Sequence, residues 1–310
     1  MLTESMVVTH GSLQRARGRC ALTIGNFDGV HRGHRALIDR VTAKAREAKL
    51  TSCVLTFEPH PREYFSPDAA PPRLTRLRDK LELMALAGVE RVHVARFDAH
   101  FAALSAERFI EEILINSLAV QWLLVGRDFR FGAKRAGDFS TLQNRGFAVE
   151  AMPDVQFEGK RVSSSAVRAA LAAGDLAGAE RLLGHPYTIS GRVAHGAKLG
   201  RGLGFPTANI VLRRPPPIAG IFVVEVDGYG HGVASVGRRP TVNPVAIPLL
   251  EVHLFDHPKN EHDGDLYGEH LRVRFLKKLR DEQKYDGLPA LQAAIARDAR
   301  QAREFFLEHG

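Results

Sequence analysis

Apolar positions along the first half of the chain fall in two alternating rhythms. Short apolar runs at Ala21–Phe27, Ser52–Phe57, Arg91–Phe97, Trp122–Gly126 and Phe147–Met152 read as strands. Between them, Leu37, Ile38, Val41, Ala45 and Ala48 recur at helix-face spacing, and the pattern predicts helices over Arg35–Leu50, Leu77–Ala87 and Glu107–Ser117. Gly88 reads as a helix stop and Ser105 as an N-cap. Gly174 ends a short helix, Asp175 caps the next, and Gly184 ends that one. Strands alternating with helices predict an α/β unit with a parallel sheet flanked by helices.

The rhythm changes after Gly184-His185-Pro186. Strand-length runs at Thr188–Val193, Gly220–Val226, Gly232–Val236, Leu249–Phe255 and Leu271–Phe275 are separated by Gly, Pro and Asn turns. That spacing predicts a compact antiparallel β-barrel. Leu288, Leu291, Ile295, Ala299, Ala302 and Phe306 then form the apolar face of one closing helix. The pattern therefore predicts two domains, residues 1–184 and 185–310, which suits a length of 310 residues.

Composition narrows the class. With 45% hydrophobic and 25% charged residues, the chain reads as an ordinary soluble globular protein. No apolar run approaches the roughly 20 residues that span a bilayer, and Met6-Val7-Val8 is too short for a signal-peptide core. The two cysteines, Cys20 and Cys53, lie in or beside strand-like runs, which predicts buried free thiols and a cytoplasmic location. The formal charge of +8 is spread along the chain and interleaved with acids. Without a zinc-finger, RNP-like or basic-helix pattern, it points to anionic small molecules rather than nucleic acid. Neither a Walker-type nor a Gly-x-Gly-x-x-Gly string is present.

The most informative segment is Gly25-Asn26-Phe27-Asp28-Gly29-Val30-His31-Arg32-Gly33-His34. It lies where a strand gives way to a helix, and the N–H groups and positive dipole end of a helix start suit a phosphate. Gly33 lets a bulky anion approach the backbone. His31 and His34, on the first turn, point the same way and can donate to one phosphate. Surface histidines, or a metal site completed by Asp28, remain open from these residues alone. Ligands on such sheets bind beyond the carboxyl ends of the strands. Glu58-Pro59-His60-Pro61 and Gly126-Arg127-Asp128-Phe129 fall at that same edge. A second cluster, Ser163-Ser164-Ser165 with Arg168, reads either as an ordinary helix cap or as a triphosphate site. In the second half, the glycine-rich stretch 196–202 precedes Gly204-Phe205-Pro206-Thr207-Ala208-Asn209, which reads as a barrel turn or as a phosphate loop.

The Gly25–His34 segment resembles the HxGH signature of nucleotidyltransferases, specifically that of bacterial bifunctional riboflavin kinase/FAD synthetases. The Ser163–Arg168 cluster is similar to that family's second signature, with Ser165 where Thr is usual. The Gly204–Asn209 string closely resembles its riboflavin kinase signature, supported by Gly237-Arg238-Arg239-Pro240-Thr241, Leu250-Glu251-Val252-His253-Leu254, Gly264-Asp265-Leu266-Tyr267-Gly268 and Leu279-Arg280-Asp281-Glu282 in the same order. The resemblance runs from about Ala21 to Arg303. Departures are few: Ser235 stands where Asn is frequent, Phe222 replaces a frequent Tyr, and His257 to Asp263 lengthens a turn.

The resemblance implies a Rossmann-like nucleotidyltransferase domain followed by a riboflavin kinase barrel. It implies ATP-dependent phosphorylation of riboflavin to FMN, then adenylylation of FMN to FAD with release of pyrophosphate. In the first domain, His31 and His34 would be catalytic, and Gly25, Asn26, Phe27, Asp28, Gly33, Asp128, Ser164, Ser165 and Arg168 would bind ATP. Pro59, His60, Pro61 and Phe129 would contact the flavin. In the second, Glu251 would be the base, Gly196, Lys198, Gly202, Thr207 and Asn209 would hold ATP with Mg²⁺ on Thr207 and Asn209, and Arg238 with Glu251 would face the flavin. The expected partners are riboflavin, FMN and ATP, with no nucleic acid or membrane and with room for weak self-association. A one-activity enzyme, a nucleotidyltransferase of other substrates, and a nucleotide-sensing or RNA-binding regulator are the competing readings.

Overall fold

A computed structural model describes residues 6–11, 18–195, 205, 207–239, 247–255 and 266–309, with the side chains of 238, 239 and 247 excepted. Its contacts divide the chain into two compact units: residues 1–71 with 77–163, and 72–76 with 164–310.

The first unit is a six-stranded sheet of β1 (Val7–His10), β2 (Cys20–Ile24), β3 (Thr51–Glu58), β4 (Arg91–Arg96), β5 (Val120–Gly126) and β6 (Ala148–Met152), ordered β1-β4-β3-β2-β5-β6. Every pairing in it is parallel. The predicted parallel sheet is thus observed, with β1 added at an edge where the sequence signal is only four residues long. The chain runs outward from β2 through β3 and β4, then returns to place β5 and β6 on the other side. The strand order reverses between β2 and β5, and loops after these two strands flank the crevice that such a reversal opens.

Helix α1 (Arg32–Ala48) follows β2, α2 (Pro61–Phe65) follows β3, and α3 (Leu77–Leu86) leads to β4. Helices α4 (Ala99–Ala102) and α5 (Ala106–Arg108) precede a π-helical stretch, Phe109–Ser117; α6 (Phe139–Asn144) precedes β6. Ile38 of α1 packs with Phe27, Val54, Leu81, Met84 and Val92 on one face of the sheet. Leu22, Leu55, Phe109, Ile110 and Leu114 pack on the other. The stops behave as read: Gly88 has φ 81° and donates to the Ala85 carbonyl, and the Ser105 side chain accepts from the Arg108 N–H. A short hairpin, β7 (Gln156–Phe157) and β8 (Lys160–Arg161), turns through Glu158 and Gly159, both at positive φ. Cys20 and Cys53 are buried free thiols.

The second unit opens with α7 (Ser164–Ala172) and α8 (Leu176–Leu183). Asp175 caps α8 by accepting from the Gly178 N–H at 2.7 Å, and Gly184 closes it at φ 83°. The strands are β9 (Thr188–Ala194), β10 (Ala208–Val211), β11 (Gly220–Val226), β12 (Gly230–Arg239), β13 (Ile247–Leu254) and β14 (His270–Arg280); α9 (Leu288–His309) ends the chain. The six close as an antiparallel barrel, β10-β13-β12-β11-β14-β9. Val167, Leu171 and Leu183 of the two helices share one core with Ile210, Phe222, Leu250 and Leu271 of the barrel, joined by Leu74 from the short 72–76 strap. The compact units therefore divide at Ser163/Ser164, upstream of the Gly184 boundary read from the sequence. Strands β12 and β14 also run longer than their apolar runs, and on β14 the alternating Arg272 and Arg274 pair with Asp227 and Glu225.

Candidate active sites

Residues 25–31 turn the end of β2 into the start of α1. Phe27, Gly29 and Val30 adopt left-handed backbone conformations, with φ of 49°, 87° and 40°. The turn is compact, and its Phe27, Asp28 and Val30 are all buried. His31 is the N-cap of α1: its Nδ1 accepts from the His34 N–H at 3.2 Å. The imidazole thus replaces the usual Ser or Asp side chain in satisfying a free helix-start N–H. The His31 and His34 rings stack 3.7 Å apart at 14°, so the pair does present its edges in one direction, and Phe27 packs 5.0 Å from His34. A Cβ on Gly33 would crowd the His31 ring at 3.2 Å. Burial first, then the nearby His31 and Lys80, hold His34 well below the usual imidazole range. His34 Nδ1 and Asn26 Oδ1 are buried without a hydrogen-bond partner in the protein. Such orphaned polar atoms at a crevice are suited to a polar ligand.

The other loops at this sheet edge are built differently. The ring of His60 caps α2, accepting from the Arg62 N–H at 3.1 Å, while Glu63 accepts from the His60 N–H at 3.2 Å. Pro61 occupies the first turn of that helix, and Pro59 precedes the cap. Beyond it, Tyr64, Phe65 and Phe97 meet edge to face at 5.2–5.6 Å, with Phe65 65% exposed. This open aromatic cluster was not read from the sequence, because Phe97, just after β4, meets Tyr64 and Phe65 of α2 only in the fold. Asp128 lies in the loop after β5, exposed, 3.7 Å from Arg161 of the hairpin, which also pairs with Asp154 at 3.0 Å. Phe129 stacks on Phe131 at 5.6 Å. The hairpin also places Phe157 under the Arg32 guanidinium at 4.6 Å. Two-residue strands carry too little pattern to be legible, so Arg161 was missed. Among the described residues, no three His, Cys, Asp or Glu side chains converge as a metal-binding group.

Ser164 and Ser165 begin α7 in the second unit, and Arg168 one turn later donates from Nε to the Pro72 carbonyl at 2.6 Å. The Pro72 strap belongs to that same unit.

The barrel carries a cavity of about 280 Å³. Register explains its composition. Asn209 of β10 and Ser235 of β12 are the direct cross-strand partners of Glu251 on β13. Directly opposed residues share one face of a sheet, so all three project together. Thr207, two residues before Asn209, has its carbonyl bonded by the Asn209 amide at 3.2 Å. Thr207, Glu251, Ser235, Glu282 and His253 line the cavity, closed on one side by Leu291, Ile295 and Asp298 of α9. The Asn209 Oδ1 is buried without a protein partner. Asp298, 3% exposed, receives two bonds from Arg280, at 2.9 and 2.5 Å, fixing α9 to the end of β14. A Cβ on Gly237 would collide with the Glu282 carboxylate, so that group lies across β12. Partial burial, then the Glu251 charge, pushes the Glu282 carboxyl up. Arg280 and Glu282, which in the sequence only extend the family resemblance, are walls of the cavity. Gly196, Lys198, Gly202, the lengthened turn 257–263 and Asp265 lie outside the described residues, as does the Arg238 side chain.

The family model for FAD synthetase matches residues 13–166 and that for riboflavin kinase residues 183–306. The bifunctional riboflavin kinase/FMN adenylyltransferase of Escherichia coli K12 is 51% identical, over 96% of both chains. The protein of that name from Pseudomonas fluorescens is 49% identical, over 92% of both. A crystal structure described as a macrolide-efflux protein from Streptococcus pneumoniae matches with a TM-score of 0.79 at 27% identity, covering 96% of this chain and 99% of that one. The chain belongs to the bifunctional riboflavin kinase/FMN adenylyltransferase family. No helix among the described residues is long and apolar enough to cross a membrane.

Proposed function

We propose that FMN adenylylation is carried by residues 1–184 and riboflavin phosphorylation by residues 185–310. By family, the enzyme phosphorylates riboflavin with ATP to FMN and adenylylates FMN with ATP to FAD. The observation that carries the division is that Thr207 and Glu251 line one cavity in the barrel unit, while His31 and His34 stack in the other.

In the kinase step, Glu251 takes the proton of the terminal ribityl hydroxyl as that oxygen attacks the γ-phosphorus; ADP leaves. A carboxylate base within reach is what an alcohol nucleophile requires at neutral pH. The apolar lining from Ile221, Val233, Leu291 and Ile295 suits a flavin ring. Thr207 and Asn209 would hold Mg²⁺, and the orphaned Asn209 Oδ1 fits a hard cation that takes oxygen ligands. Bound there, the ion would neutralise phosphate charge. Gly196, Lys198 and Gly202 would bind the nucleotide.

In the second step, an FMN phosphate oxygen attacks the α-phosphorus of ATP and pyrophosphate leaves. The nucleophile is already anionic, so charge stabilisation is the main task. His31 and His34 would donate to the departing phosphates, with Gly25, Asn26, Phe27, Asp28 and Gly33 shaping the turn. His34 is neutral without ligand, and a bound triphosphate draws it toward the protonated form. Asp128 would complete the nucleotide site in this reading, and Ser164, Ser165 and Arg168 would bind nucleotide phosphate. Pro59, His60, Pro61 and Phe129, with the Tyr64–Phe65–Phe97 cluster, would seat the flavin ring. A cytoplasmic enzyme working on small molecules, able to self-associate weakly, follows from the same reading. Incubation with riboflavin, ATP and Mg²⁺ while following FMN and FAD tests it: FMN should appear first and FAD after it, and absence of either product would overturn the two-activity reading.

A further inference from the structure

We propose that Lys80 is a positioning residue for adenylyl transfer, holding the phosphate-binding turn in shape from beneath. The proposal rests on assigning that reaction to the His31–His34 turn. Lys80 projects from α3 and is 5% exposed. Its Nζ donates to the Asn26 carbonyl at 2.7 Å and lies 3.5 Å from Thr56 Oγ1, which donates to the same carbonyl at 3.2 Å. Two donors from two elements thus grip one carbonyl. That carbonyl belongs to the residue just before the left-handed Phe27, where the turn departs from β2. A buried ammonium is costly unless paired, and core packing alone would favour an apolar side chain at this position. The turn it grips is the one that carries both histidines and the orphaned Asn26 Oδ1 and His34 Nδ1.

The ammonium also acts electrostatically. Lys80 and His31 both oppose a positive charge on His34. The turn and the elements packed against it also carry Asp28, Asp79 and Glu82 on α3, with Glu82 bonded to Arg78 at 3.0 Å, and Glu58 at the end of β3. In a low-dielectric site a fixed positive charge is felt strongly. Burial is the first cause that keeps the free enzyme's imidazole neutral; Lys80 adds to it and sets a permanent positive charge beside the turn.

Three full-length variants separate these roles. Lys80→Met removes donor and charge, Lys80→Gln keeps a donor, and Lys80→Arg keeps the charge. Adenylylation of FMN and phosphorylation of riboflavin are assayed separately, and His34 is titrated by NMR with labelled histidine, assigned through His34→Gln. Lys80→Met should lower kcat for adenylylation by about 100-fold, the scale of a small misplacement of reacting groups, with kinase activity unchanged. Lys80→Gln should lower it less, and in both the His34 titration should move to higher pH. Lys80→Arg should leave the titration near its original position. Adenylylation within twofold of the parent in Lys80→Gln and Lys80→Met, with an unmoved titration, would overturn the proposal. So would a Lys80→Met that fails to fold while Lys80→Gln is normal in turnover and titration, since Lys80 would then be only a core residue. Full adenylylation in His34→Gln would instead overturn the site assignment.

Discussion

Replacing Asp298 by Ala removes the acceptor that ties α9 to the barrel. Asp298 is 3% exposed and takes two charged bonds from Arg280, at 2.9 and 2.5 Å. Removing one partner of a buried pair costs roughly 3–5 kcal/mol when the orphaned charge stays buried. Here the Arg280 side chain remains 18% exposed and borders the cavity, where water can reach it. A loss of about 2–3 kcal/mol is therefore expected, which lowers the midpoint of the barrel unit by roughly 5–10 °C. Calorimetry of the full chain measures this, with fluorescence of Trp122, the only tryptophan in the sequence, as a reference from the other unit. In a double-mutant cycle with Arg280→Met, the pair should be less destabilised than the sum of the single changes by about 2 kcal/mol. A midpoint within about 1 °C of the parent, or strict additivity, would refute the reasoning.

Three further outcomes are expected. Gly237→Ala should displace the Glu282 carboxylate that lies over it; overpacking of about 1 kcal/mol should appear as a roughly fivefold loss of riboflavin kinase kcat/KM, with adenylylation unchanged. Phe65→Ala should raise KM for FMN in adenylylation by about fivefold, the value of roughly 1 kcal/mol of aromatic contact, with little change in stability because Phe65 is largely exposed. Burial, then His10, lowers the His93 pKa to about 4. The neutral ring thus favours the fold fully above pH 6.5, and this contribution fades as pH falls toward 4, by about 3 kcal/mol. Denaturant melts of His93→Leu between pH 4 and 7 should show a flatter acid decline than the parent; an equally steep one would contradict the assignment.

The alternation of strands and helices was legible because the strands of a parallel sheet are nearly continuous apolar runs: Leu22, Leu55 and Leu123 are all fully buried. Helix stops at Gly88 and Gly184 were legible through the positive φ that glycine accepts. The edge strand β1 was not, because its four residues alternate weakly and are mostly exposed. Strand β10 was hidden for another reason: it begins inside the Phe205–Asn209 string, whose proline and threonine read as a turn. Packing of α7 and α8 against the barrel could not be read either, since the apolar face of a helix does not name its partner. The chemistry split in the same way. His31, His34, Thr207 and Glu251 stand in compact motifs, whereas Lys80, Phe65 and Glu282 reach their places only through tertiary contacts.

The division of labour is tested most directly by two single variants assayed for both products. Glu251→Gln should block conversion of riboflavin to FMN while still turning supplied FMN into FAD. His34→Ala should make FMN from riboflavin and accumulate it without FAD. Loss of both activities in either folded variant would contradict the separate-site account.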